Sequence, residues 1–146
     1  MASAAQRGDV PAGRMVTHSA VLASLTIPGR PEHVREDRDL VVKALGELHP
    51  SLDDAVLLTS ELVTNAVMHS HSRCPGGTIQ VVVRDTAGGV RVEVVDDGSD
   101  LSAPVVRGDI YASDGHGLFL VQNLADQWGY LRDERGTTVW FWLSLG

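Results

Sequence analysis

The chain has 146 residues, of which 43% are hydrophobic and 21% charged, and this is the size and balance of one soluble globular domain. Its formal net charge of -7 argues against nucleic acid as a partner, because phosphate backbones are bound by clustered Lys and Arg. The single cysteine, Cys74, excludes an intrachain disulfide. No signal peptide or transmembrane stretch appears, so we expect a cytoplasmic protein without a membrane partner.

The N-terminal region divides into a leader and a first strand. Residues 1–17 are mostly small and polar. They predict a disordered leader, or a start site misassigned ahead of Met15, before a folded domain at 18–146. Residues 18–27 are rich in β-forming side chains and stop at Pro28-Gly29, which predicts an edge strand.

Two helices are predicted next. Pro31 opens a stretch whose apolar side chains recur near helical spacing, and this helix runs to about Leu48 before Pro50 breaks it. Ser51 is a capping residue for a second helix that extends to about His69.

A β-hairpin and a long loop follow. Residues 79–83 and 90–94 carry Val or Ile at every second position, and the turn at 87–89 joins them. Residues 99–114 show no clear period, and a loop of this length inside a compact domain usually has a function.

The rest of the chain predicts a helix starting at 115 and two strands, at about 126–132 and 137–145. The resulting order of elements is β-α-α-β-β-loop-α-β-β. This order predicts an α+β fold, a two-layer α/β sandwich with the helices on one face of a mostly antiparallel sheet.

One side of the second helix combines a carboxylate with an amide. Residues four apart lie above one another on a helix, so Glu61, Asn65 and His69 continue a stripe that begins with Asp54 and Leu58. A carboxylate beside an amide oxygen suits an oxygen-preferring cation together with a base. The alternative is the solvated rim of an ordinary amphipathic helix.

Asp96 ends the second strand of the hairpin. Strand alternation puts it on the face of Val92 and Val94, which packs against the helices, and puts Asp97 on the other face. A buried carboxylate needs a partner, which the amino group of a purine ring would supply. The alternative is a turn residue before Gly98.

Two more segments suggest ligand contacts. The glycines of Gly115-His116-Gly117 let a ligand approach a helix start, where free N–H groups and the helix dipole favour an anion. In residues 136–140, a threonine hydroxyl could contact the purine base through a water molecule. The alternative for that threonine is an ordinary β-branched strand residue.

These segments occur in the order of four boxes of a known superfamily. SELVTNAVMHS resembles the N box of the GHKL ATPase/kinase superfamily, and VEVVDDG, GHGLFLV and GTTVWFWL resemble its three glycine boxes. Within the superfamily, the chain looks most like the small anti-sigma factor serine kinases, over about residues 19–145. The resemblance implies the Bergerat ATP-binding fold, with ATP and Mg²⁺ as cofactors.

The resemblance also implies a role for each matching residue. Asn65 would be the magnesium ligand, and Glu61 would be the general base that activates the attacking hydroxyl. Asp96 would bind the adenine amino group, with Gly98 leaving space beside the ring. Thr138 would complete the adenine contact through water.

The phosphates would lie at the start of the third helix, wrapped by Gly115, His116, Gly117 and Leu118. Residues 99–114 would form the ATP lid, in which Arg107 is the only basic residue. By the same resemblance, the chain would be an ATP-dependent protein serine/threonine kinase that phosphorylates an anti-sigma factor antagonist of the STAS type.

Two other functions stay open. The domain would instead be an ATP-binding module that sequesters a sigma factor or another regulator, or an ATPase that hydrolyses ATP alone. Related small kinases usually act as dimers, so a homodimer is a further expectation, although no periodicity marks its surface.

A zinc site is the weaker interpretation of His69, His71 and Cys74. Only these three ligand types lie close together, and no second cluster follows, so a polar loop is expected. The three tryptophans fall at strand positions, where core packing or a partner surface is the expected role.

Overall fold

The computed structural model describes residues 2–6, 19–98, 116–134 and 136–145. Its strands and α-helices are, in chain order, β1 (Ala2–Gln6), β2 (Ala20–Pro28), α1 (Val34–Leu45), α2 (Leu52–His69), β3 (Thr78–Thr86), β4 (Gly89–Asp96), α3 (His116–Leu124), β5 (Gln127–Asp133) and β6 (Gly136–Ser144). Short 3-10 turns occur at Pro31–His33, before α1, and at His71–Arg73, after α2.

The six strands form one sheet in the order β1-β5-β6-β4-β3-β2, and every neighbouring pair is antiparallel. β2 lies at an edge, as its sequence predicts, and β3 and β4 form the predicted hairpin. Thr86 faces Gly89 across a two-residue turn, in which Gly88 has a φ of 80° that favours glycine. The predicted α+β architecture is therefore confirmed.

All three helices pack on the same face of this sheet. The core residues of that face alternate along each strand and align between strands, so that Val83, Val92 and Phe141 lie side by side and are fully buried. α2 contributes buried residues to the core along most of its length. α1 contributes Val41 and α3 contributes Val121, and both are buried in the core. Among the described helices, none is long and apolar enough to cross a membrane.

α1 ends at Leu45, three residues before the predicted limit. Gly46 has a φ of 89°, and its N–H donates to the carbonyl of Val42 at 2.8 Å. A positive φ favours glycine and takes the backbone out of the helix. The helix is therefore stopped by Gly46 and not, as predicted, by Pro50.

α2 begins at Leu52, where the sequence predicts its start, but the predicted cap is different. The Ser51 side chain makes no capping hydrogen bond. The Ser51 backbone N–H instead donates to Nδ1 of His49 at 3.0 Å, so that the histidine stabilises the preceding turn. Asp53 and Asp54 in the first turn suit the positive end of the helix dipole.

The leader contains a strand that the sequence does not predict. β1 pairs with β5, from Ala2 opposite Arg132 to Gln6 opposite Trp128. Without β1, β5 would leave a row of backbone N–H and C=O groups unpaired at the sheet edge. The prediction of a disordered leader over 1–17 is therefore wrong for residues 2–6, and residues 7–17 lie outside the described part of the chain.

The face of the sheet away from the helices carries a charged and aromatic cluster. The guanidinium of Arg91 lies 4.2 Å from the ring centroid of Trp140, and its Nε lies 2.9 Å from a carboxylate oxygen of Glu93. Trp128, in contrast, belongs to the helix-covered core and is 3% exposed. Tryptophan packing thus contributes to both faces, as the sequence predicts for strand positions.

Candidate functional site

Glu61 and Asn65 lie one turn apart at the edge of the buried face of α2. Both are partly buried, whereas Asp54 and His69, near the two ends of the same stripe, are exposed. The adjacent Leu62 belongs to the core. A fully solvated rim would expose the whole stripe, so the burial of its middle pair favours a binding site.

Asp96 ends β4 on the helix-covered face, because it alternates with the buried Val92 and Val94. Burial raises the pKa of the Asp96 carboxyl, and backbone N–H groups of Gly98 and Thr137 partly offset this effect. The Gly98 N–H donates to Oδ1 of Asp96 at 2.6 Å. The predicted position of this acid is therefore confirmed, and its carboxylate is available as a hydrogen-bond acceptor for a ligand.

The C-terminal end of α2 meets the C-terminal end of β4. Two residues after α2 ends at His69, the backbone N–H of His71 donates to the carbonyl of Gly98 at 2.6 Å. Asn65 lies in the last turn of α2, and Asp96 precedes Gly98 by two residues. The tertiary structure thus brings the two predicted ligand-binding residues to one corner of the domain.

Asp97 has a structural role at this corner. Its Oδ2 accepts a hydrogen bond from the Thr78 N–H at 2.9 Å, and its own N–H donates to Oγ of Ser72 at 2.8 Å. These bonds join the end of β4 to the start of β3 and to the loop after α2. The second acid of the VEVVDDG segment therefore supports the turn that carries the first.

Two glycines bring the neighbouring turns together at Asp96. Gly98 has a φ of 87°, and an added β-carbon would lie 3.5 Å from Cα of Gly136, which is ordinary contact. Its backbone conformation, and not a lack of space, therefore requires glycine. At Gly136, an added β-carbon would overlap the Asp96 carbonyl, so this position requires glycine for its space as well as for its φ of 140°.

The register between β4 and β6 corrects one predicted residue. Thr137 stands opposite Asp96 and is 4% exposed, whereas Thr138 stands opposite Val95. Successive side chains of a strand lie on opposite faces, so Thr138 shares the uncovered face with Trp140. The prediction of Thr138 as the adenine-side threonine is therefore wrong, and Thr137 is the threonine on the face of Asp96.

The second glycine box forms the start of a helix, as predicted. The first turn of α3 consists of His116, Gly117 and Leu118, while Gly115 and the predicted lid at 99–114 lie outside the described residues. α3 packs against α2, the helix that carries the carboxylate and the amide. The first N–H groups of a helix have no partner within the helix, so they are donors for an anion.

The potential metal ligands of the domain suit magnesium better than zinc. Within the described ranges, no three His, Cys, Asp or Glu side chains are grouped so that they could hold a metal ion. Magnesium bound with a nucleotide needs only one or two protein oxygens, because phosphates and water supply the others. The lone amide oxygen of Asn65 therefore fits Mg²⁺ that arrives with ATP better than an independent metal site.

Residues 27–143 match the family of histidine kinase-like ATPase domains. The chain therefore belongs to this family, and membership implies that it binds ATP. The match extends from β2 to β6 and includes every residue predicted to contact the nucleotide. Among curated proteins, none matches this chain significantly.

Proposed function

We propose that this domain is a cytoplasmic ATP-binding regulator that acts as a protein serine/threonine kinase on an anti-sigma factor antagonist of the STAS type. The observation that carries the proposal is the contact between the end of α2 and the end of β4, through His71 and Gly98. It joins the helix that carries Asn65, an amide suited to magnesium, to the strand that carries Asp96, an acid suited to adenine. Membership in the ATPase family supports ATP as the ligand.

At the adenine end, the Asp96 carboxylate accepts a hydrogen bond from the 6-amino group. The backbone N–H groups of Gly98 and Thr137 hold the carboxylate in place, and its two oxygens still offer further acceptor positions for the amino group of the ring. Thr137 lies on the same face and completes the contact through its hydroxyl, directly or through water. An acceptor at this position discriminates against purines without the amino group, because the partly buried carboxylate would then lose one of its hydrogen bonds.

At the phosphate end, Asn65 would hold Mg²⁺ through its amide oxygen, and the backbone N–H groups of the first turn of α3 would donate to phosphate oxygens. Mg²⁺ held there would supply positive charge against the charge that develops on the phosphates during transfer. Glu61 lies one helical turn from Asn65, which places its carboxylate on the same side of α2 as the proposed phosphate site.

Glu61 acts as the general base of the proposed transfer. It accepts the proton of a substrate Ser or Thr hydroxyl while that oxygen attacks the γ-phosphorus. A new oxygen–phosphorus bond forms, the bond between the γ-phosphorus and the bridging oxygen breaks, and ADP leaves with that oxygen. The product is a phosphorylated antagonist.

A transfer assay with radiolabelled ATP, Mg²⁺ and a candidate antagonist tests the proposal. Label on the antagonist supports the kinase. ATP binding without transfer to any antagonist supports the module that sequesters a sigma factor or another regulator, and release of free phosphate without a partner supports an ATPase. Absence of ATP binding contradicts all three. The proposal includes a homodimer, which sedimentation equilibrium measures directly.

A further inference from the structure

Two serines in the loop after α2 are among the most buried polar residues of the described chain. Ser72 is 1% exposed and Ser70 is 8% exposed, although both belong to a short loop between α2 and β3. Neither is one of the residues proposed to contact ATP. Polar groups in such positions need hydrogen-bond partners, and the partners of these two connect the elements of the site.

On one side, the serines are bonded to α2. Oγ of Ser70 donates to the carbonyl of Ala66 at 2.7 Å, and the N–H of Ser72 donates to that same Oγ at 3.0 Å. Ala66 directly follows Asn65, the proposed magnesium ligand. The loop is thereby attached to the last turn of the helix at the level of the metal site.

On the other side, Ser72 is bonded to the strands. Its Oγ donates to the carbonyl of Thr78 at 2.7 Å and accepts a hydrogen bond from the Asp97 N–H at 2.8 Å. Asp97 directly follows Asp96, the proposed adenine ligand. A path of three hydrogen bonds, through Ser70 and Ser72, therefore links the residue after Asn65 to the residue after Asp96.

Two glycines pack closely against the backbone of Ser72. A β-carbon added to Gly29 or to Gly77 would overlap the carbonyl group of Ser72. Gly29 and Gly77 are themselves joined, since the N–H of the first donates to the carbonyl of the second at 3.2 Å. The close packing of the two glycines restricts the Ser72 backbone, and its hydroxyl is held by the bonds to Thr78 and Asp97.

We propose that Ser72 is a positioning residue that sets selectivity for the adenine amino group, an inference that rests on the proposed ATP site. Ser72 holds the Asp97 N–H, and this bond fixes the turn from which the Asp96 carboxylate extends. Without the Ser72 hydroxyl, the Asp97 N–H loses its partner, and the turn that carries the carboxylate loses one of the bonds that hold it. The phosphate contacts arise from Asn65 and α3 and do not depend on this bond.

The test compares ATP with purine riboside triphosphate, which lacks only the 6-amino group. Isothermal titration with Mg²⁺ gives the dissociation constant of each nucleotide for the wild type and for Ser72→Ala. In the wild type, we expect the dissociation constant of ATP to be lower than that of purine riboside triphosphate. The ratio of these two constants should fall by about tenfold in the variant, mainly through weaker ATP binding. Ser24→Ala, at an exposed position of β2, is the matched control and keeps the wild-type preference.

A double-mutant cycle with Asp96→Asn separates positioning from a general loss of structure. If Ser72 acts through Asp96, Ser72→Ala reduces ATP affinity less than about twofold once Asp96 is already replaced. Should Ser72→Ala not fold, Ser72→Cys retains a weaker donor and acceptor, and the same narrowing is expected from it.

Two results would overturn the inference. One is a preference for ATP that is unchanged by the substitution, and the other is an additive effect of the two substitutions in the cycle. Either result leaves the proposed function intact, because the wild type still binds ATP. A wild type that binds neither nucleotide would instead overturn the proposed function together with this inference.

Discussion

Asp96 and Thr137 stand directly opposite each other in the pairing of β4 with β6, and the Thr137 backbone N–H stabilises the Asp96 carboxylate. Both residues lie on the sheet face that the helices cover. The last turn of α2 reaches the same corner through the hydrogen bond between His71 and Gly98. This corner is where the proposed function places the purine ring, and the predictions below test its parts separately.

Replacing Asp96 by Asn should weaken ATP binding by about 10- to 100-fold, because a charged acceptor is lost and an amide group faces the adenine amino group in its place. Isothermal titration with Mg²⁺ measures the change. Asp85→Asn is the control, since Asp85 is exposed on β3 and should bind ATP as the wild type does. Unchanged affinity in Asp96→Asn would make the adenine assignment wrong.

On acidification, ATP affinity should begin to fall at a higher pH than it would if Asp96 had the pKa of an ordinary aspartate. Burial raises the pKa of Asp96, so its carboxylate, the form that accepts the hydrogen bond, is present above that pKa and lost as the pH drops through it. Titrations that start at neutral pH and continue into the acid range should show this loss in the wild type at a pH above the ordinary aspartate range. The same titrations with Asp96→Asn correct for protonation of the phosphates, and identical pH profiles would exclude Asp96 as the titrating group.

The two threonines of β6 should differ in their effect on ATP binding. Thr137→Val removes a hydroxyl on the face of Asp96 and should weaken binding by about five- to tenfold. Thr138→Val alters the uncovered face and should change affinity less than about twofold. The isosteric substitution keeps the β-branched shape of both residues. The reverse order of effects would restore Thr138 as the adenine-side residue.

Glu61→Ala should abolish phosphoryl transfer to the antagonist and leave ATP affinity nearly intact, because a general base contributes to the reaction and not to nucleotide binding. Glu61→Gln keeps the size of the side chain and should be equally inactive. Transfer of radiolabel and equilibrium binding are measured on the same preparations. Either variant transferring at the wild-type rate would remove Glu61 from the mechanism.

A buried carboxyl in α1 should make stability depend on pH. Burial raises the pKa of Asp37 to about 6 from the ordinary 3.8, and backbone N–H groups of its own turn offset the effect only in part. The folded state therefore binds this proton more tightly than the unfolded state. The stabilisation is complete below about pH 4 and is lost as the pH rises through about 6.

Urea denaturation of the wild type and of Asp37→Asn checks this dependence. Between about pH 4 and about pH 7, the free energy of unfolding of the wild type should fall relative to the variant by at most about 3 kcal/mol. Asp39→Asn is the control, because Asp39 is exposed on the same helix and should follow the wild-type profile. Parallel profiles for the wild type and Asp37→Asn would show that this carboxyl does not titrate as expected.

Local periodicity and turn chemistry are sufficient to predict much of the fold. The span of α2, the hairpin of β3 and β4, the start of α3 and the covered face of Asp96 all follow from side-chain spacing within one segment. The sequence predicts the end of α1 too late, because Gly46 is a weaker sequence signal than Pro50, although its positive φ ends the helix first.

Other features depend on segments that meet only in the folded chain. The choice of Thr137 over Thr138 follows from the register of β6 against β4. Two adjacent threonines look equivalent in sequence. Strand alternation decides between them only when one buried residue of the strand, such as Phe141, is known. The strand at Ala2–Gln6 exists because it pairs with β5, more than 120 positions away along the chain.

The sequence by itself determined the order of the boxes, and with it the residue types that the proposed site offers to an adenine nucleotide. The tertiary structure decided how those residues are held, through hydrogen bonds such as the one between Ser72 and Asp97. Helical and strand periods act between near neighbours, and so they can be recognised in the chain. Bonds between distant segments depend on loop paths and strand register, which local preferences do not specify.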